Sequence, residues 1–147
     1  MSKTHIYCHI VFGTKRRERT IPLDRKKELY AYIWKIIQNK KCTLVRINGV
    51  EDHVHILLDL HPTAALADLV RDIKTSSSHW LNSTGIFIHF KGWGREYYAS
   101  SVSPENVEAC KQYIISQEEH HLGAKFEDEI QDLARKWGMG YYEDDLS

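Results

Sequence analysis

Two histidines stand one residue apart in the stretch VEDHVHILLDLHP, residues 50–62, which otherwise has the composition of a buried β-strand. Side chains alternate between the faces of a strand, so His53 and His55 share one face while Val54 and Ile56 share the other. Imidazole is the commonest metal ligand in proteins. The spacing predicts one face for a core and one that offers two ligands to a metal ion. The alternative is a strand with two histidines on its solvent side that bind nothing.

A tyrosine and a glutamine stand four residues apart in a later stretch, CKQYIISQEEHH, residues 110–121. On a helix this spacing sets Tyr113 and Gln117 one turn apart on the same face, beside a stripe of apolar residues. A phenol is a weak nucleophile because its ordinary pKa is about 10. Its attack on a phosphodiester therefore needs close positioning and a cation that takes up the developing charge. The alternative is a tyrosine at the core boundary with an exposed glutamine.

The elements that must position these residues follow from hydrophobic periodicity and turn signals. The predicted strands cover 4–12, 42–49, 53–60 and 96–102, and the predicted helices cover 24–39, 62–81, 103–121 and 126–137. A turn around Asn48 and Gly49 is expected to join the second and third strands. This order predicts an α+β fold of the ferredoxin-like split βαβ type, an antiparallel sheet with helices on one face, followed by C-terminal helices. That fold hosts many unrelated functions, so function must be argued from the site.

Length and composition favour one soluble domain over residues 1–147. Hydrophobic residues make up 42% of the chain, and no apolar run approaches the roughly 18 to 20 residues that cross a bilayer. The first residues, MSKTHIYCHIVFG, lack the pattern of a secretory signal. Three cysteines without a CxxC pair make a disulfide framework or a zinc knuckle improbable. We therefore expect a protein of the reducing cytoplasm, without a membrane partner.

Charge is distributed unevenly, although the formal net charge is zero. Residues 1–50 hold 12 Lys or Arg against 3 Asp or Glu, whereas residues 101–147 hold 4 against 11. This asymmetry predicts a basic surface that meets phosphates. The candidate phosphate-binding residues of a nucleic-acid surface are a cluster in the first half and one helical lysine: Lys15, Arg16, Arg17, Arg19 and Lys74. The alternative is a set of solvated surfaces that happen to segregate by sign.

Several specific sequence motifs, each occurring once, follow one another in a defined order along nearly the whole chain. They are HIYCHIVFGTKRR, EDHVHILLDL, LADLVRDIKTSSSHWL, GWGREYYASSVS and YIISQEEHH, with FEDEIQDL behind the last. In these motifs and their spacing the chain resembles the single-tyrosine HUH transposases of the smallest bacterial insertion sequences, the insertion sequence 200 type. The resemblance implies metal-dependent cleavage and rejoining of single-stranded DNA at transposon ends through a covalent 5′-phosphotyrosine. It also implies recognition of subterminal DNA hairpins.

The resemblance further implies a role for each of the four residues discussed above. Tyr113, on the C-terminal helices, would be the nucleophile. His53, His55 and Gln117 would be the ligands of a divalent ion, Mg²⁺ or Mn²⁺. The active form would be a homodimer in which the tyrosine helix of one subunit completes the metal site of the other.

Two other classes of protein remain open at this point. One is a non-catalytic or domesticated nucleic-acid-binding protein on the same ferredoxin-like fold, although the aromatic strand signature of RNA-binding members is absent from this sequence. The other is a metallohydrolase that activates water. It would need a further acidic or histidine ligand and a general base, for which Asp59 and His61 are the nearest candidates.

Overall fold

The computed structural model describes residues 2–117, which form a four-stranded antiparallel sheet and three α-helices. In chain order the elements are β1 (Tyr7–Gly13), α1 (Lys26–Asn39), β2 (Thr43–Val50), β3 (His53–Asp59), α2 (Leu66–Thr84), β4 (Tyr98–Val102) and α3 (Val107–Ile115). The strand order in the sheet is β2-β3-β1-β4. The predicted α+β, ferredoxin-like order is thus confirmed. The end of the helix predicted to reach residue 121 and the helix predicted over 126–137 lie outside the described residues.

One face of the sheet packs against α1 and α2 and forms the larger core. On α1, Leu29, Ile33 and Ile37 recur at four-residue spacing, and all three are fully buried. Such spacing places apolar side chains on one stripe of a helix. Val54 and Ile56 of β3 belong to the same core, so the predicted core face of this strand is confirmed. Within residues 2–117, no helix is both long and apolar enough to cross a membrane.

The opposite face of the sheet is covered by α3 and is not open to solvent. A smaller core forms there from β1, β3, β4 and α3: Val11, Leu57, Tyr98, Cys110, Tyr113 and Ile114. His53 and His55 lie on this face and are both 0% exposed. A strand with histidines on its wet side is therefore excluded. Strand alternation alone could not reveal this, because the covering helix is more than 50 residues away in the sequence.

The turn that joins β2 and β3 is formed by Glu51 and Asp52, so the predicted turn at Asn48 and Gly49 is wrong. Both predicted turn residues are paired within the sheet, Asn48 with His55 and Gly49 with Val54. Glycine is used here for a close approach between strands, since a Cβ at position 49 would overlap the carbonyl oxygen of His53. The side chain of Asn48 is engaged by two helices, as described below.

The basic segment after β1 is fixed to the end of the sheet where β3 begins. It forms a 3-10 turn over Lys15–Arg17. Thr14 donates its N–H to the carbonyl of Asp52 (2.8 Å) and its hydroxyl to the carbonyl of Glu18 (2.6 Å). Gly94 donates to the carbonyl of Gly13 (2.8 Å) from the loop before β4. The basic turn therefore lies directly beside the residue that precedes His53.

Candidate active site

The two histidines of β3 each use Nδ1 for a neighbouring side chain. Nδ1 of His53 donates to Oδ1 of Asp52 (2.7 Å). A hydrogen bond of 2.9 Å joins Nδ1 of His55 to Nε2 of His9. The rings of His53 and His55 have their centroids 5.1 Å apart. Hydrogen bonding at Nδ1 is the usual way in which a protein orients an imidazole whose Nε2 coordinates a metal.

His9 belongs to this site and was not predicted from the sequence. It lies on β1 opposite Leu57, two residues along from the partner of His55, and it is 1% exposed. Residues in such diagonal positions on one face of a sheet lie within reach of each other. The sequence feature that could have indicated His9 is its place in HIYCHIVF, where strand alternation puts it on the face opposite Ile10. It could be used only once the pairing of β1 with β3 was known.

Tyr113 of α3 lies against these histidines within the same chain. Its ring centroid is 5.8 Å from that of His55 and 6.5 Å from that of His9, with the rings edge to face in both pairs. The residue is 8% exposed. Cys110 and Ile114, three residues before Tyr113 and one after it, pack in the same small core. The apolar side of α3 therefore fixes the height of the phenol above the sheet.

Gln117 follows α3 and folds back onto it. Its Nε2 donates to the carbonyl oxygen of Tyr113 (3.3 Å), and the residue is fully buried. Its Oε1 is buried and has no hydrogen-bond partner among residues 2–117. A buried acceptor without a partner costs about 1 to 3 kcal/mol. An amide oxygen is also a suitable ligand for Mg²⁺ or Mn²⁺, so this atom fits a role in metal binding.

The described part of the chain holds no cluster of three or more His, Cys, Asp or Glu side chains arranged around a common metal position. His53 and His55 supply two nitrogen atoms at most to one ion. The amide oxygen of Gln117, buried and without a hydrogen-bond partner among residues 2–117, is a further candidate donor.

The predicted DNA-binding residues divide into an exposed group and a half-buried group. Lys15, Arg16 and Arg19 are exposed on the turn after β1. Arg17 is half-buried with its guanidinium against Gly13. Arg16 and Arg17 both adopt positive φ angles, 59° and 56°, a conformation that is uncommon outside glycine and is often held in place at functional segments.

Lys74 of α2 forms hydrogen bonds within the protein. Its ammonium donates to the carbonyl oxygens of Gly94 (3.0 Å), Arg95 (3.3 Å) and Glu96 (2.9 Å). Burial lowers the pKa of Lys74 from its ordinary value; the charge of Glu96 opposes this effect and that of Arg17 adds to it. Through these hydrogen bonds, Lys74 stabilises the loop before β4, which lies beside the basic turn. A phosphate contact by Lys74 itself stays a prediction.

The residues considered for a water-activating hydrolase lie at the other end of β3. Asp59 bonds to His5 Nδ1 (2.9 Å) and to the N–H of Ile6 (2.9 Å), and His61 bonds to Thr63 (2.7 Å). Asp59 lies four positions along the strand from His55, a distance of roughly 13 Å at about 3.3 Å per residue. Neither side chain is positioned to join the two histidines around one ion.

Comparison with known proteins identifies the family. Residues 2–117 match the family described as IS200-like transposases, and the chain belongs to this family. A curated relative, the transposase for insertion sequence element IS200 of Salmonella typhimurium, is 26% identical over 121 residues, which cover 78% of this chain and 79% of the relative. The corresponding transposase of Salmonella typhi matches to the same extent.

Two solved structures share the fold. One is a crystal structure of a candidate transposase from Deinococcus radiodurans, with a TM-score of 0.62 and 23% identity, covering 79% of this chain and 93% of that one. The other is a REP-associated tyrosine transposase bound to a REP hairpin, with a TM-score of 0.62 and 16% identity, covering 100% of this chain and 92% of that one. At these identities the similarity concerns the fold. Membership of the family supports transposase function for the chain.

Proposed function

We propose that this protein cleaves and rejoins single-stranded DNA at transposon ends, with Tyr113 as the nucleophile and a divalent metal ion as cofactor. The observation that carries this proposal is the contact between the rings of Tyr113 and His55, whose centroids are 5.8 Å apart. It brings a phenol from a C-terminal helix to the two-histidine face of a central strand. Neither α3 nor β3 by itself combines a phenol with two imidazoles.

The side chains at the site fit a metal ion of the Mg²⁺ or Mn²⁺ type. His53 and His55 would contribute Nε2, because Nδ1 of each ring is hydrogen-bonded to Asp52 or His9. Gln117 would contribute the buried Oε1. Three protein ligands leave coordination positions for phosphate oxygens, and a bound cation supplies charge stabilisation to the phosphate under attack. Mixed nitrogen and oxygen ligation favours Mn²⁺ at least as much as Mg²⁺.

The chemical step exchanges one phosphodiester for another. Oη of Tyr113 attacks a phosphorus of the DNA backbone, the P–O3′ bond breaks, and the phenol proton is lost to solvent as the departing 3′ oxygen takes one up. The 5′ end is then joined to Tyr113, and a free 3′-hydroxyl remains. Because the phosphodiester bond is exchanged for a phosphotyrosine bond and is not hydrolysed, a 3′-hydroxyl can reverse the attack and rejoin strands without a nucleotide cofactor.

The basic turn supports a path for the DNA beside the site. Thr14 connects this turn to Asp52, which adjoins His53, so Lys15, Arg16 and Arg19 lie at the end of the sheet where the candidate ligands begin. Cationic side chains neutralise backbone phosphates and position the strand without reading its sequence. We propose that a DNA hairpin is the bound form. The REP-associated relative, which shares the fold, is itself bound to a REP hairpin.

The homodimer implied by the resemblance stays a prediction. In the single chain, Tyr113 already contacts its own His55 and His9. We propose on this ground that each complete site lies within one chain, and that a dimer would serve DNA binding. Exchange of the tyrosine helix between subunits would require α3 to leave the small core that covers the histidines.

Denaturing electrophoresis tests the proposal directly. Purified protein is incubated with end-labelled single-stranded DNA that contains a hairpin and with Mg²⁺ or Mn²⁺. We expect label to migrate with the protein after denaturation. Cut DNA without labelled protein would indicate the hydrolase, and uncut DNA with a retarded native complex would indicate the non-catalytic binding protein. Either result would overturn the proposed function.

A further inference from the structure

Asn48 of β2 uses both ends of its side-chain amide to connect elements that are distant in the sequence. Its Nδ2 donates to the carbonyl oxygens of Ile114 (3.0 Å) and Ile115 (3.1 Å) at the end of α3. Its Oδ1 accepts a hydrogen bond from Nζ of Lys26 on α1 (3.0 Å). An ammonium can only donate and a peptide carbonyl can only accept, so these partners fix the orientation of the amide.

The carbonyl groups that Asn48 binds lie at the C-terminal end of α3. The last four carbonyls of an α-helix lack an intrahelical donor and must find one elsewhere. In α3, the carbonyl of Gln112 accepts from the N–H of Ser116 (3.2 Å). The carbonyl of Tyr113 accepts from Gln117 (3.3 Å). Asn48 donates to the carbonyls of Ile114 and Ile115 and therefore contributes a cap to the end of α3 from a neighbouring strand.

Lys26 places a positive charge behind this cap. Lys26 is 9% exposed, and its ammonium also donates to the carbonyl of Gly49 (3.1 Å). The C-terminal end of a helix carries a partial negative charge, which a nearby cation stabilises. Hydrogen bonding of the ammonium to Oδ1 polarises the amide and strengthens the bonds that Nδ2 donates. Helix α1 thus contributes, through Lys26, to holding the end of α3.

The cap and the candidate active site are anchored to the same pair of residues. Asn48 is the direct partner of His55 in the antiparallel register of β2 and β3. His55 contacts the ring of Tyr113, and Asn48 binds the carbonyl of the next residue, Ile114. Directly paired residues have their side chains on one face of the sheet. The paired strands β2 and β3 therefore contact α3 at the candidate nucleophile and at the residue that follows it.

We propose that Asn48 is a positioning residue that, with Lys26 behind it, fixes the tyrosine helix so that the phenol stays against His55. The inference rests on the proposed role of Tyr113 as nucleophile. Without the cap, α3 keeps its apolar contacts but loses the bonds that fix its end. The helix end can then shift, and the phenol loses its place over the histidines.

Two substitutions and one control separate this role from a general loss of structure. Asn48→Asp keeps the shape and the acceptor for Lys26, but it sets a carboxylate oxygen against two carbonyls. Asn48→Ser is neutral and too short to bridge the two carbonyls and the lysine. Asn82→Asp makes the same charge change at an exposed position on α2 and serves as the matched control.

The first measurement uses the protein without DNA or metal. Nuclear Overhauser contacts between the rings of Tyr113 and His55, and the rate at which Tyr113 is nitrated, report the position of the phenol. We expect both Asn48 variants to lose the ring contacts and to be nitrated faster, while Asn82→Asp behaves as the wild type. Unchanged contacts and rates in both Asn48 variants would overturn the inference. Should Asn48→Asp not fold, Asn48→Ser decides.

The second measurement separates cleavage from binding. We expect the single-turnover rate of adduct formation to fall about 10- to 100-fold in both variants, the cost of a reacting group displaced by about 1 Å. Hairpin affinity should be unchanged. A parallel loss of hairpin affinity would indicate a structural role and overturn the inference. If the wild type forms no adduct, the proposed function fails, whereas the ring contacts still decide whether Asn48 positions Tyr113.

Discussion

At the scale of single residues, the candidate site depends on which atom of each side chain is already used. The Nδ1 atoms of His53 and His55 are bonded to Asp52 and His9, and Nε2 of Gln117 is bonded to the backbone. In each case the bond orients the side chain, as outer-shell hydrogen bonds orient the ligands of metal sites. Three predictions concern these residues and the nucleophile.

Replacing Tyr113 by phenylalanine should abolish the covalent DNA adduct and spare hairpin binding. The change removes one oxygen and leaves the ring in its small core. Denaturing electrophoresis measures the adduct, and a native mobility shift measures binding. Tyr97→Phe, at a half-buried tyrosine in the other core region, is the control and should keep wild-type activity. Adduct formation by Tyr113→Phe at the wild-type rate would move the nucleophile to another tyrosine.

Substitutions on the two faces of β3 should differ in their effect on metal binding. His55→Ala should abolish Mn²⁺ binding in calorimetric titration, because it removes a ligand. Val54→Ala should leave Mn²⁺ affinity intact and lower the free energy of unfolding by about 1 to 3 kcal/mol, as a core truncation does. Because His55 is fully buried and hydrogen-bonded, His55→Ala should also lower stability. Equal Mn²⁺ affinity in wild type and His55→Ala would remove this residue from the metal site.

His9 should matter for metal affinity through its bond to His55. His9→Leu removes the hydrogen-bond partner of His55 Nδ1 and should weaken Mn²⁺ binding about 10- to 100-fold, the usual cost of losing an outer-shell partner. His9→Gln keeps an oxygen at about the position of Nε2 and should retain most of the affinity. Unfolding curves of both variants control for packing. A loss of equal size in the two variants would contradict this role for the hydrogen bond.

At the scale of elements, the basic turn after β1 is the segment best placed to bind phosphates. Its exposed cations are Lys15, Arg16 and Arg19, and its backbone is joined to Asp52 and to the loop before β4. Arg17 is half-buried against Gly13, so its removal would disturb the turn as well as the charge. Arg16 and Arg19 therefore give the cleaner test.

Replacing Arg16 and Arg19 together by alanine should flatten the dependence of log affinity on log salt concentration. The slope should change by up to about 1.4, since each phosphate contact on a single strand contributes roughly 0.7. Affinity for hairpin DNA is measured by fluorescence anisotropy over a series of salt concentrations. Replacing Lys27 and Lys35, exposed on α1, is the charge-matched control. A slope like that of the control would assign the DNA surface to another part of the protein.

At the scale of the whole molecule, the described chain brings Tyr113 and the histidines of the candidate site together. Mixing Tyr113→Phe with His53→Ala subunits tests whether the parts act together within a chain. Shared sites would restore adduct formation in mixed dimers, because one composite site keeps both intact parts. The contact between Tyr113 and its own His55 leads us to expect no recovery. Subunit exchange is verified by mass spectrometry. Recovery after verified exchange would establish the shared sites that the resemblance implies.

The sequence by itself determined the local features of this protein. Periodicity located the strands and helices with ends displaced by a few residues, and alternation placed Val54 and Ile56 in the core. These features depend on near neighbours, which a sequence displays directly. The motifs, rather than the periodicity, pointed to the transposase family.

Only the tertiary structure decided which distant residues meet. Asn48 and Gly49 have the composition of a turn, yet the close approach of β3 and the contacts of Asn48 with α1 and α3 keep both residues in β2. The pairing of β1 with β3 brings His9 to His55. The packing of α3 across the second face buries the histidines and sets Tyr113 against them. The hydrogen bonds of Asn48 with Lys26 and Ile115 and of His9 with His55 join residues 22 to 67 positions apart, and long-range packing overrides local preference wherever the two disagree.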